Sequence, residues 1–462
     1  GGMSSGGLSA TDIGKTEAIT GLAVDFYARV GAKYGLNQPE YFFEPHVAEE
    51  VFEDYISEAN IDVLPLKQLK SVENNGLRIS AIVLEDALNP ELFTDIRVEA
   101  EVFIDATYEG DLLAAAGVSY MIGRESNVIF NESYNGVQVL GGHQFPDGIS
   151  PYIEEGNPAS GILPGINPVP LAPQGSGDAK IQAYNYRLCM TTSPSNRIAM
   201  PAPTNYNPQN YELLGRLMTQ ENIDELDYIF QIRALRGAKF DWNNSGPLST
   251  NLIGGSWDYP EASYFERKQI EIEHRQWIYG LFKFLDTDSR IPQNIRDELG
   301  QWGLCKDEFI DNGSWPYNLY IREARRMIGQ YVMTEDNIMG QVFVNDGIAF
   351  GSYWMDSHNA QRVIVNGMVK NEGDVWIYTP QPYKISYRSM TPDPDECVNL
   401  LVPVCLSASH IAFGSIRMEP VFMALGNAAG VAAAMAVEDD VAVQAIDVDR
   451  LIGALDLDLN LK

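Results

Sequence analysis

Ser407–Ala436 reads SASHIAFGSIRMEPVFMALGNAAGVAAAMA, and its two halves differ. The first carries His410, Arg417 and Glu419 among small and apolar residues. The second, from Leu425, is almost wholly Gly and Ala. Side chains that small keep no neighbour at a distance. The pattern predicts a helix beginning near Gly426-Asn427. Such a start offers unpaired backbone N–H groups and the positive end of a dipole. An electron-rich planar ring or a phosphate suits that arrangement. A Gly/Ala helix packed tightly on a sheet has the same composition, so this segment alone leaves both readings open.

Upstream of it, Leu400–Cys405 (LLVPVC) reads as a short apolar strand. Residues from Gly347 onward alternate as strands, through GIAFGSYWMDSHNAQRVIVNG and VWIYTPQPYKISYRSMTP. At the other end, GGMSSGGLSATDIG is a Gly-rich turn that lets backbone approach a ligand closely. Ile13–Tyr34 and Pro45–Ala59 show helical spacing. Asn74-Asn75-Gly76 marks a turn between two alternating runs. Val102–Ile104 is a short strand with Asp105-Ala106-Thr107 at its exit. Gly110 forms the elbow and Asp111 opens an Ala-rich helix, with Asp111 as its cap. Strand, turn and helix in that order suit a doubly wound α/β sheet, where ligands sit beyond the strand ends.

From Ile122 to Met333 the texture changes. Pro, Gly, Asn and aromatic residues crowd into long loops. Helices are expected near 211–220, 262–285, 292–302 and 319–332, and a strand carrying Arg187 in QAYNYRLCMTTSPSNR. Three regions follow: 1–121 and 341–462, which belong together, and 122–340, an inserted, loop-rich, mostly helical substrate domain.

The chain has 462 residues, enough for about two or three domains. Its 32 basic and 63 acidic residues give a net charge of −31. That charge opposes nucleic acid and anionic membrane surfaces. No run of about 18 apolar residues suggests a membrane span. The expected partner is a small molecule. Four cysteines, Cys189, Cys305, Cys397 and Cys405, show no C-x-x-C pair and no zinc or iron–sulfur spacing, so no metal ligand is assigned and buried free thiols are expected. The compartment is not readable from this sequence.

Both ends together resemble the FAD-dependent oxidoreductases of the glutathione-reductase-like superfamily. The nearest likeness is the group related to the flavoprotein subunit of heterodisulfide reductase. The matching stretches are GGMSSGGLSATDIG, IDATYEGDLLAAAGV, YNYRLCMTTSPSNR, LYIREARRMIG, MDSHN and SASHIAFGSIRMEPVFMALGNAAGVAA. The resemblance implies an α/β, FAD/NAD(P)-binding, doubly wound fold with FAD as cofactor. The family's opening βαβ unit with its G-x-G-x-x-G turn does not appear here, and residues carrying it are expected upstream of Gly1. By this resemblance Gly1, Gly2, Met3, Ser5, Gly6 and Gly7 run beside the flavin and pyrophosphate. Asp105, Ala106 and Thr107 lie near the ADP moiety. Gly426, Asn427, Ala428, Ala429 and Gly430 start the helix under the flavin.

The implied activity is hydride transfer between flavin and a small polar substrate, which needs a base for the accompanying proton. Of the five histidines, His410 and His358 fall within matched stretches and are the candidate bases, His410 first. His274, in a helix with Glu271 and Glu273, reads as surface. Arg417 joins the catalytic candidates, and Arg187, Asp356 and Arg388 are candidate substrate ligands. Arg417 and Arg388 can grip a carboxylate or sulfate as planar forks. Arg322, Arg325 and Arg326 read as a solvated helix face. Two other functions stay open at this point: electron transfer with an unidentified acceptor or iron–sulfur partner, and a non-catalytic carbohydrate-binding module using Trp242, Trp257, Trp302, Trp315 and Trp354.

Overall fold

The structure is a computed structural model that describes residues 1–92 and 94–457. Helices and sheets are mixed throughout, as an α/β chain requires. Pro45–Ala59 forms a helix with Pro45 at its first turn, the position where a missing N–H costs nothing. Leu22–Lys33 is the helical part of the expected 13–34 stretch. The helix stops short because Gly14 and Gly21 both hold positive φ, at 59° and 60°. Lys67–Asn75 and Arg78–Asp86 pair as an antiparallel hairpin through Gly76, φ 60°.

The middle region departs from a mostly helical insert. Five strands (Leu188–Thr191, Arg197–Ile198, Phe230–Ala234, Phe240–Asn244 and Gly303–Cys305) form an antiparallel sheet. Tyr264–Thr287, opened by a Ser263/Glu266 capping box, packs over it. Trp242 and Trp315 are almost fully buried in this core, which removes them from any carbohydrate platform. Cys189 and Cys305 face each other across adjacent strands, Sγ to Sγ 3.4 Å. All four cysteines are buried free thiols.

Segment 319–332 is not a helix. Leu319–Met327 runs extended through the interior with every residue buried. A surface helix needs one face in water, and this segment has none. Arg326 instead pairs with Glu125 and Glu323, and Arg325 with Asp111 and Glu261.

The C-terminal region packs a second core around the helix Glu419–Asp439. Among the described residues, the one parallel strand pairing joins Leu400–Leu401 to Phe103–Ile104, so the two ends of the chain meet in one ladder. No extended parallel sheet forms among the described residues. Glu419–Asp439 is long and apolar enough to cross a membrane by length and composition, contrary to the sequence expectation. More than half of its apolar window is buried inside the fold, with Leu425, Ala428, Ala429 and Ala432 fully enclosed.

Candidate active site

Asp356 and His358 stand two residues apart, at the Met355–Ser357 strand and just past its end, so the backbone sends both to one side. Val375–Ile377 pairs with this strand and brings Asp374 alongside. The helix His410–Ile416 lies against the same strand through Gly414, where a Cβ would stand 2.6 Å from the Asp356 carbonyl oxygen. Arg417, at the end of that helix, donates to Asp356 Oδ2 at 3.0 Å and to the Tyr320 hydroxyl at 3.0 Å. From the middle region come Arg187, ion-paired to Asp241, and Arg322 on the buried extended segment. These side chains surround a cavity of about 240 Å³.

Its electrostatics follow from burial. His358 is fully enclosed and sits next to arginines. Desolvation, then Arg322 and Arg417, hold its pKa well below the ordinary imidazole range. Its ring stacks at 6.1 Å on His143, whose Nδ1 lies 2.7 Å from Asp374 Oδ2. Burial lowers the His143 pKa, but the hydrogen bond and charge of Asp374 outweigh it and leave it raised. The two rings thus favour opposite protonation states, one neutral and one charged, as acid–base sites require. Burial, reinforced by Arg417, pulls the Arg322 pKa down to about 9. Burial pushes the Asp356 carboxyl up, and Arg417 opposes it.

Four of the sequence candidates therefore line one cavity: His358, Arg417, Arg187 and Asp356. His410 does not. It is buried behind the wall, its Nδ1 2.8 Å from Glu323 and its Nε2 3.1 Å from the Ser357 hydroxyl. It braces the residue between Asp356 and His358 rather than meeting a ligand. Arg388 is also elsewhere, on the surface and paired with Asp346 at 2.9 Å. Sequence reading passes over His143, Asp374 and Tyr320, and takes Arg322, which is almost fully buried, for part of a solvated helix face. For His143 a signal existed in the Gly141-Gly142-His143 turn, whose second glycine touches Asp374.

The helix with the Gly/Ala stretch begins at Glu419, not near Gly426-Asn427. Pro420 in its first turn sets the start, and Gly426 to Gly430 are two turns inside. Ala428 and Ala429 are buried in the core, while nothing lies within 4 Å of a Cβ on Gly426 or Gly430. Asn427 faces Gly21. Gly2–Gly6 forms a short helical turn of which Met3, Ser4, Ser5 and Gly6 are buried. The Tyr108 hydroxyl accepts from the Met3 amide and donates to Glu419, tying that turn to the true helix start. Burial raises the Glu419 carboxyl to about 7. Asp105 spends its carboxylate on Thr107 and on the Leu113 amide, so it, rather than Asp111, caps the Asp111–Ala115 helix. Asp111 pairs with Arg267 and Arg325. Asp105 and Thr107 also line a separate cleft of about 1100 Å³ beside the Lys67–Asp86 hairpin.

A metal has little to recommend it at Glu44, His46 and Glu308, the closest grouping of ligand types among the described residues. Lys239 already fills it, 2.8 Å from Glu44 and 2.5 Å from Glu308.

Comparison with curated proteins gives no match, and comparison with solved structures gives none either. A family model described as FAD dependent oxidoreductase matches residues 1–455, nearly the whole chain. The protein belongs to that family: it is an oxidoreductase with FAD as its cofactor.

Proposed function

We propose that this enzyme moves a hydride between FAD and a small polar substrate seated in the 240 Å³ cavity, with His358 handling the proton. The observation that carries the reading is the meeting of His358, Asp356, Arg417 and Arg187 in one cavity. Oxidation of a C–OH or C–NH group releases a hydride from carbon and a proton from the heteroatom. FAD supplies the two-electron acceptor for the hydride.

His358 suits the proton step because its lowered pKa keeps the imidazole neutral and able to accept. The Asn251 amide stands 3.2 Å from His358 Nδ1, and Asn251 Oδ1 is otherwise unpartnered. Arg417 and Tyr320 orient the substrate, and the surrounding burial excludes water.

The start of Glu419–Asp439 leaves no room for a flavin ring: Glu419 is buried against Tyr108, and the adjoining cleft between Met418, Pro420, Val421 and the 12–19 loop holds about 10 Å³. That helix has no side-chain cap, and the buried Glu419 carboxyl already occupies its dipole end. Asp12 and Tyr353 line both this small cleft and the 240 Å³ cavity. Gly14, with φ 59°, brings its backbone within 2.9 Å (from an added Cβ) of Tyr353 N beside this cleft. Two finer readings have support of their own: a doubly wound FAD-binding part, from the parallel Phe103–Ile104 and Leu400–Leu401 pairing, and kinship with the heterodisulfide reductase flavoprotein group, from the matched stretches.

The test is anaerobic flavin bleaching in the holoenzyme with a panel of short hydroxy acids, amino acids and polyols. For the compound that bleaches fastest, His358→Asn lowers the rate by about 10²–10⁴-fold at unchanged flavin content. A wild-type rate in that variant overturns the assignment.

A further inference from the structure

Each cation around the cavity except one has a carboxylate of its own. Arg187 pairs with Asp241, Arg233 with Asp12, Arg417 with Asp356, and His143 with Asp374. Arg322 makes no ion pair among the described residues. It is almost fully buried, and its guanidinium donates only to neutral oxygens: Ala183 O, Asn185 Oδ1 at 3.1 Å and Asn244 Oδ1 at 3.4 Å. Its Nε has no partner. The Arg322 and Arg417 guanidinium carbons stand 5.0 and 5.7 Å from the centre of the same Tyr320 ring, so two like charges share one aromatic ring.

A buried, uncompensated charge is costly, and natural chains seldom keep one without use. We infer that the cavity takes a small monocarboxylate, whose anionic group supplies the counter-charge that Arg322 lacks. The inference rests on this cavity being the substrate site. Guanidinium and carboxylate match as planar forks. One unpaired cation also balances one negative charge. A dianion such as phosphate or sulfate would bring its second charge beside Asp356, Asp12 and Asp374, which share the lining. The volume of about 240 Å³ admits only a few non-hydrogen atoms beyond the carboxylate.

Calorimetric titration of the full-length holoenzyme with glycolate and lactate, against glycolamide, lactamide, glycerol and sulfate, tests this. The carboxylates bind, and the neutral amides and glycerol bind at least tenfold more weakly, as does sulfate. Arg322→Gln lowers lactate affinity tenfold or more, and Arg322→Lys recovers part of it. Amides or sulfate binding as tightly as lactate, no carboxylate binding, or unchanged affinity in a folded Arg322→Gln variant each overturn the inference. The ligand series on the unaltered protein decides the matter if the variant does not fold. Carboxylates that bind without bleaching flavin sink the hydride reading and leave this one standing. A polyol that bleaches flavin equally well in Arg322→Gln does the reverse.

Discussion

His274 sits inside the packing of the Tyr264–Thr287 helix, its Nδ1 2.8 Å from the Ile270 carbonyl and its Nε2 3.3 Å from Ser256 Oγ. The sequence places it among charged neighbours and reads as surface; the helix turns that face inward. Burial lowers its pKa to about 4. The unfolded chain therefore binds a proton below about pH 6.5 that the folded chain refuses until about pH 4. Stability conferred by this site is complete above the unfolded value and falls as pH drops from 6.5 towards 4. At pH 5 the loss amounts to about 2 kcal/mol. Urea melts at pH 7 and pH 5 measure it, and His274→Gln removes most of the difference between them. An equal pH dependence in the variant refutes the account. The candidate site is partly legible at this scale. His358 and Asp356 declare themselves in a four-residue polar run, and Arg417 in a stretch that mixes charge with small residues. Arg322 does not, because nothing in LYIREARRMIG says that the segment crosses the interior. Only the tertiary path converts an ordinary arginine into an isolated buried cation.

The position of the terminal helix shows how far periodicity carries. Its length and apolar character are plain from composition, yet its start is not where the glycines begin. Pro420 held the signal, since proline is favoured in a helix's first turn and not six residues before it. Gly426 and Gly430 consequently lie in a helix interior, where glycine costs about 1 kcal/mol relative to alanine. With open space around both positions, Gly430→Ala raises the stability of the flavin-free protein by about 1 kcal/mol, read as a higher melting temperature. Gly31 is the contrasting case. A Cβ there runs into the Gln38 carbonyl oxygen, and Gly31→Ala lowers the melting temperature although both glycines are helical. Matching shifts of the same sign at the two sites would refute this. The hairpin and the Pro45–Ala59 helix are legible because local turn and cap chemistry sets their ends. The five-stranded sheet of the middle region is not, since only Phe230–Ala234 and Phe240–Asn244 pair as a local hairpin and its other pairings join strands far apart in sequence.

Across the whole molecule, 63 acidic side chains against 32 basic ones surround a cavity whose one unpaired charge is positive. An anion therefore meets opposite forces along its path: the distant field turns it away, and the last few ångströms draw it in. Dissolved salt acts unequally on the two, because ions shield charges across open water far more than charges that are buried. Raising ionic strength from about 0.01 to 0.15 M shortens the screening length from about 30 to 8 Å. Stopped-flow association of lactate then quickens with added salt, while its dissociation rate changes little. A slower association at higher salt would contradict this. The acidic coat thus acts as a toll on arrival rather than on residence, and the enzyme would take up its substrate fastest in brackish surroundings.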